Sequence, residues 1–196
     1  MPTQPLGWFN KPIKSPDDLK NLKYRTVGLS ADLFHEMGAA ITILPGGDIV
    51  PALERNLLDG AEFNNPSSDR VLGFPDVAKA YMVQSYHQNV ECFEIMFNRA
   101  KLRALPDEQQ AILRYAAESA SSDMFWKLQD RYTKDLEEMR KQGVRTYRTP
   151  RSVLDAQLKA WDKIIDDLSA DPFFRKVIDS QRLWARRVGG FFLDYQ

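Results

Sequence analysis

The stretch from Lys23 to Phe63 constrains the fold more than any other part of the chain. Within it, short apolar runs are cut at near-regular intervals by glycine and proline. Tyr24 to Val27 reads as a short strand that ends at Gly28. A helix follows, capped by Ser30 and stopped by Gly38. Ile41 to Leu44 reads as a second strand. Pro45-Gly46-Gly47-Asp48 breaks it and starts a helix to about Leu58, and Asp59-Gly60 turns into a third strand, Ala61 to Phe63. A β-α-β-α-β order with short loops requires parallel strands, right-handed crossovers and helices on the sheet faces. Ligands of open parallel sheets bind beyond the carboxyl ends of the strands. Glu62 and Phe63 stand at such an end, and the long side chain of Arg25 reaches the same rim.

Around this unit the punctuation is equally direct. Ser15-Pro16-Asp17-Asp18 opens a short helix to about Leu22. After a turn-rich loop, Asn64 to Asp69, come helical segments near Asp69 to Leu72 and Pro75 to Ala80. Two strand-like runs follow, Tyr81 to Tyr86 and Glu91 to Asn98, around the polar link His87-Gln88-Asn89. In the second, Phe93, Ile95 and Phe97 alternate with other residues, which is a period-2 signal. From Pro106 to Gln142 the 37 residues contain no later proline and no glycine. A helix of that length spans ~55 Å, whereas a domain of this size is only ~30–40 Å across. Such a helix breaks or projects. Met124, Phe125, Trp126, Leu128, Tyr132, Leu136 and Met139 give its second half a broad apolar surface that wants a partner. Val144 to Tyr147 is a last strand. Arg151 to about Leu168 and Pro172 to about Val188 are further helices, followed by an apolar tail.

Hydrophobic residues make up 43% of the 196, enough for a real core. Lys plus Arg and Asp plus Glu number 27 each, so the net basic face that nucleic-acid binding needs is not indicated. No run approaches the ~18 apolar residues of a membrane span. Cys92 is a lone thiol and reads as buried and inert. The first nine residues have neither a charged n-region nor an apolar h-region, so they do not read as a signal peptide. They look like the middle of something longer.

Few residues here invite chemistry. Arg25 carries a planar, permanently charged guanidinium that can bind a carboxylate in bidentate fashion or form an internal salt bridge. Glu62 can serve as a metal ligand, as a partner to Arg25 or as a helix-capping acid. The loop after it is rich in oxygen donors, which suit hard cations such as Na⁺ or Ca²⁺, although its spacing matches no defined calcium loop. His35 lies in a helix without zinc-ligand spacing, and His87 lies in the link near the crevice. No catalytic motif emerges.

The runs Gly7-Trp8-Phe9-Asn10-Lys11-Pro12-Ile13, Asp17 to Arg25, Leu44-Pro45-Gly46-Gly47-Asp48 and Asp59-Gly60-Ala61-Glu62-Phe63 resemble the solute-binding proteins of TRAP transporters, the DctP-like family, in its 2-oxo-acid branch. The resemblance runs along nearly the whole chain and covers the family's C-terminal portion. It implies an α/β fold, a type II periplasmic-binding-protein lobe with a parallel-rich sheet and long C-terminal helices. Residues 1–80 would form the ligand-binding part of the second lobe. Residues 81–104 would return to the first lobe, and residues 105–196 would form the helical region.

The resemblance also implies roles. Arg25 matches the arginine that clamps the ligand carboxylate. Glu62 matches a metal-holding glutamate, and Phe63 stands where tryptophan is usual, offering a carbonyl and an apolar wall. Gln88 stands where a second glutamate is usual, keeping an oxygen ligand but losing a charge. The binding set is thus Arg25, Glu62, Phe63 and Gln88, with Glu62, Phe63 and Gln88 around a bridging Na⁺ or Ca²⁺. An upstream glutamine of the family's metal site is expected to precede this chain, together with the signal peptide and most of the first lobe. The implied protein is periplasmic and not an enzyme. It captures a small 2-oxo or 2-hydroxy monocarboxylate for TRAP membrane subunits and forms a homodimer through the long helix. One lobe alone cannot close over a ligand, so weak or absent binding by this chain is expected. The rival readings are an enzyme using Glu62 or His87 as base and a helical dimerisation module that has lost its ligand.

Overall fold

The three parallel strands expected between Lys23 and Phe63 all form, and they make up one side of a six-stranded sheet. The computed structural model describes residues 4–90 and 93–195. In chain order the elements are β1 (Gly7–Phe9), a 3₁₀ turn (Pro16–Leu19), β2 (Lys23–Arg25), α1 (Leu29–Glu36), β3 (Ala40–Thr42), α2 (Gly46–Glu54), β4 (Gly60–Ala61), α3 (Pro66–Leu72), α4 (Phe74–Val77), β5 (Ala80–Met82), α5 (Arg99–Arg103), α6 (Asp107–Lys141), β6 (Arg145–Tyr147), α7 (Arg151–Leu168) and α8 (Pro172–Asp194). The sheet order is β3-β2-β4-β1-β5-β6. Strand β2 pairs in parallel with β3 and β4, and β5 pairs in parallel with β6. Only β1 runs antiparallel to both of its neighbours. The fold is therefore mixed α/β with a mostly parallel sheet.

Alternation along these short strands sorts side chains into two cores. Phe9, Tyr24, Ala80 and Met82 point to one face and pack with Leu33 and Phe34 of α1 and with Val153, Ala160 and Ile164 of α7. Trp8, Ala61 and Tyr81 point to the other, against Ile49 and Leu53 of α2, Phe74 of α4 and Met139 of α6. Strand β1 was not anticipated, because Gly7-Trp8-Phe9 is too short to show a period. It nevertheless occupies the middle of the sheet, and Gly7 permits this. Its φ is +126°, and a Cβ there would lie 2.4 Å from the carbonyl oxygen of Ala61, so a side chain would collide with the neighbouring backbone.

Four local expectations are corrected. Ser30 does not cap α1. The N-cap is Gly28, at φ 60°, and the buried Ser30 hydroxyl donates instead to the His87 carbonyl at 3.2 Å. Strand β5 stops at Met82 rather than running to Tyr86. The Tyr86 N–H donates to Gln157 Oε1, and its carbonyl accepts from Trp161 Nε1, so α7 side chains take the groups that a neighbouring strand would need. The run 93–98 forms no strand and leaves Phe93, Ile95 and Phe97 exposed. Alternation does not make a strand where no ladder partner lies alongside. Cys92 lies outside the described residues. Finally, α8 continues through Gly189-Gly190 to Asp194, because two glycines cost a helix only ~1 kcal/mol each.

Helix α6 is one unbroken element of 35 residues, ~52 Å long. Its C-terminal half packs on α3, burying Tyr132, Asp135 and Met139, while Ile112, Tyr115, Met124, Phe125 and Trp126 remain exposed. None of the helices among the described residues is long and apolar enough to cross a membrane.

Candidate functional site

Arg25 ends β2, and its side chain gathers the ends of both neighbouring strands. Nε and Nη2 donate to the Leu44 carbonyl just past β3, at 3.0 and 2.8 Å. Nη1 donates to the Glu62 carbonyl just past β4, at 2.7 Å, and to Glu62 Oε1 at 3.1 Å. The guanidinium carbon lies 5.9 Å from the centre of the Phe63 ring. The sequence thus places three strand termini together because β2 is the central one of three parallel strands, and the longest cation in that strand reaches both sides. The Arg25 and Glu62 side chains are only 5% and 3% exposed. A buried pair of this kind needs hydrogen bonds to main-chain groups to offset its lost hydration, and the Leu44 and Glu62 carbonyls supply them. Four of the five guanidinium N–H groups are engaged, which leaves one Nη2 N–H without a partner among the described residues.

Phe63 is half-buried, and its ring covers Gly46 at the start of α2, where a Cβ would stand 2.6 Å from the ring. Gly46 therefore does more than turn the chain: it makes room for the aromatic wall. The Phe63 carbonyl accepts from Gln4 Nε2 at 3.2 Å. Gln4 also donates its main-chain N–H to the carbonyl of Gln88, at 3.1 Å. Arg25, Glu62 and Phe63 are thus in mutual contact. Gln88 is brought alongside through Gln4, by its main chain. His35 is exposed on α1 and takes no part.

Sequence reasoning missed the polar residues that support this corner. Gln4, which that reasoning did not single out, is 3% exposed. Its Oε1 lies 3.0 Å from His87 Nε2, and His87 Nδ1 lies 2.6 Å from Ser85 Oγ. Ser85 Oγ accepts from Gln157 Nε2 at 2.9 Å. The partners are 72 and 83 residues apart in the chain, so no local pattern signals them. Burial pushes the His87 imidazole down to about 3, so it is neutral at ordinary pH and too weak a base for proton abstraction. A second buried group, Asp69, accepts from Trp8 Nε1 at 2.8 Å and from the Asn64 N–H at 3.2 Å. Burial outweighs these bonds and raises its carboxyl to about 7.

The donors near Arg25 are one carboxylate, amide oxygens and main-chain carbonyls. Among the described residues no cluster of three or more His, Cys, Asp or Glu is placed to hold a metal ion. An all-oxygen set with a single charge suits a hard cation better than zinc.

A model of the bacterial extracellular solute-binding proteins, family 7 (DctP), matches residues 4–172. A monocarboxylate 2-oxoacid-binding periplasmic protein of Nostoc sp. is 28% identical over 183 residues, which are 93% of this chain and 50% of that protein. A solute-binding protein of Chromohalobacter salexigens is 28% identical over 130 residues, or 60% of this chain and 38% of that one. The chain spans half the length of the first relative and less of the second. Among solved structures, a TRAP periplasmic solute-binding protein from Colwellia psychrerythraea with bound calcium and pyruvate superposes with a TM-score of 0.80. It is 28% identical and is matched over 100% of this chain and 62% of its own. One from Pseudoalteromonas atlantica with bound sodium and pyruvate gives 0.78 at 26% identity, over 100% of this chain and 62% of that one. A third, from Bordetella bronchiseptica, is a mixed-occupancy dimer with calcium and picolinate in one site. It gives 0.79 at 27% identity, over 98% of this chain and 60% of that one.

Proposed function

The chain belongs to family 7 of the bacterial extracellular solute-binding proteins, and on that premise we propose that it is the ligand-gripping part of a TRAP transporter's binding protein for small 2-oxo or 2-hydroxy monocarboxylates. The family consists of substrate-binding components of transporters rather than enzymes, and the neutral, buried His87 agrees with that. The observation that carries the reading is the buried Arg25 at the carboxyl ends of β2, β3 and β4, with one N–H still to give. A ligand carboxylate takes that N–H and competes with Glu62 for a second. Phe63 walls the pocket.

Glu62, the Phe63 carbonyl and Gln88 would hold Na⁺ or Ca²⁺. Such an ion supplies positive charge between Glu62 and the ligand's own oxygens. Relatives bind pyruvate with calcium or with sodium, which supports this choice of ion and acid. We place residues 1–80 in the ligand-binding lobe, 81–104 on the way to the first lobe, and 105–196 in the helical region that makes a homodimer through α6. The whole protein works in the periplasm and delivers its ligand to TRAP membrane subunits.

The test is calorimetric titration of the protein carrying both lobes with pyruvate, with and without Ca²⁺. Saturable binding that Arg25→Ala abolishes supports the reading. Unchanged affinity in that variant sinks it.

A further inference from the structure

A chain of hydrogen bonds runs from α7 to the Phe63 carbonyl, and both its ends are main-chain groups whose roles are fixed. At one end the Tyr86 N–H can only donate, and it donates to Gln157 Oε1 at 2.8 Å. The amide of Gln157 therefore presents its nitrogen to Ser85 Oγ, at 2.9 Å. That oxygen also lies 3.3 Å from the His87 N–H. With donors already on its oxygen, the Ser85 hydroxyl spends its own proton on His87 Nδ1, at 2.6 Å. A ring nitrogen that accepts leaves the other to donate. His87 is then the Nε2–H tautomer and donates to Gln4 Oε1, at 3.0 Å. The amide of Gln4 in turn points its nitrogen at the Phe63 carbonyl, at 3.2 Å, and that carbonyl can only accept. The two ends agree, so every intermediate orientation is determined. Gln4, Ser85, His87 and Gln157 are each at most 4% exposed, so water does not offer alternatives.

We propose that His87 is a positioning residue for the ligand site: as its neutral Nε2–H tautomer it holds the Gln4 carbonyl inward and the Gln4 amide nitrogen against the Phe63 carbonyl. The proposal rests on reading Phe63 as part of that site. Its consequence is specific. The corner offers an N–H donor, suited to the acceptor oxygens of a carboxylate or an oxo group. A cation taken up by the Phe63 carbonyl shares that oxygen with Gln4 and receives no oxygen from Gln4 itself. Helix α7 reaches the site through this relay, since Gln157 belongs to α7.

The deciding measurement is a long-range proton–nitrogen correlation spectrum of the ¹⁵N-labelled chain at neutral pH, with exposed His35 as the internal reference. A single Nε2–H pattern at His87 supports the relay. An Nδ1–H pattern, or an average of the two, overturns it. Replacing the ring then tests its effect on Gln4. In His87→Phe the side-chain amide protons of Gln4 exchange at least about tenfold faster, and in His87→Gln, which keeps an N–H donor, they stay within about threefold. Equal behaviour of the two variants overturns the positioning role. If His87→Phe fails to fold, the wild-type tautomer and the His87→Gln amide signals still decide. Absence of pyruvate binding alongside the expected tautomer counts against the ligand reading of Arg25 and leaves the relay standing.

Discussion

Arg25 and Glu62 meet twice: Nη1 lies 2.7 Å from the Glu62 carbonyl and 3.1 Å from its Oε1. The first contact survives any change in the Glu62 side chain, and the second does not. Both side chains are buried, so removing one partner strands the other. Arg25→Met leaves a buried carboxylate and is expected to cost about 3–5 kcal/mol, whereas Arg25→Met with Glu62→Leu recovers most of that loss. Urea midpoints of the two single variants and the double variant check this. A double variant no better than Arg25→Met would mean that the guanidinium serves through the Leu44 and Glu62 main-chain carbonyls rather than through the Glu62 carboxylate.

Two buried groups tilt stability in opposite directions with pH. His87 stays neutral in the folded chain down to about 3, while an unfolded histidine takes up its proton near 6.5. Over that window the unfolded state binds the extra proton, so His87 makes stability rise with pH. Asp69 keeps its proton in the folded chain up to about 7, whereas an unfolded aspartic acid loses it near 3.8. Over that window the folded state holds the extra proton, so Asp69 makes stability fall as pH rises. Each slope is about 1.4 kcal/mol per pH unit, and between pH 4 and 6.5 they roughly cancel. Wild-type stability is therefore expected to be nearly flat there as far as these two groups go. Asp69→Asn unmasks a rise with pH, and His87→Gln unmasks a fall. Denaturant midpoints at half-unit pH steps measure both. Parallel curves for the three proteins would refute the assignment.

Glycine positions separate sharply by what surrounds them. Gly7→Ala forces a left-handed φ on an alanine and drives its Cβ against the Ala61 backbone, inside the central strand pair. A loss of at least about 2 kcal/mol is expected. Gly47 has open space around the same added carbon and no positive φ, so Gly47→Ala at the start of α2 is expected to be neutral or to stabilise by up to about 1 kcal/mol. Thermal melts of the two variants suffice. A Gly7→Ala protein as stable as wild type would mean that β1 shifts out of register with β4.

How far the sequence spoke depended on how local the cause was. Gly28, Gly38, Pro45-Gly46 and Gly60 bracket β2, α1, β3, α2 and β4, and each acts on its own few residues, so that unit was readable. So were α6 and α7, which begin right after Pro106 and Pro150, α6 ending at Lys141, just ahead of Gly143. Arg25 and Glu62 were readable as a pair because adjacent parallel strands bring their ends together. What escaped was long-range. Trp8 and Phe9 join the sheet through Ala61 and Tyr81. Tyr86 leaves it because Gln157 and Trp161, more than 70 residues later, take its main-chain groups. Gln4 enters the site through Phe63 and His87. In each case the deciding partner lies on another element, and neither composition nor period carries it.

Helix α6 supplies the remaining prediction. On its buried half, Tyr132 and Met139 are covered by the body of the chain, and Asp135 binds Arg70 at 3.1 Å and Arg131 at 3.3 Å. Nearly two turns before Tyr132, Phe125 and Trp126 stack edge-on with ring centres 5.3 Å apart, yet they are 43% and 69% exposed. Ile112, Tyr115 and Met124 extend this apolar surface along the same helix. A second copy meeting α6 by two-fold symmetry would cover each patch with the other, since such an interface is self-complementary. Sedimentation is expected to show a concentration-dependent dimer. Phe125→Glu with Trp126→Glu should return it to monomer, with far-ultraviolet circular dichroism unchanged because neither side chain is part of the core. Burying a Trp–Phe pair on each side is worth several kcal/mol, so the dissociation constant should rise by at least about 100-fold. A dimer that persists in this variant would assign the contact to another surface, of which the exposed Trp184 and Phe191 on α8 are the next to replace.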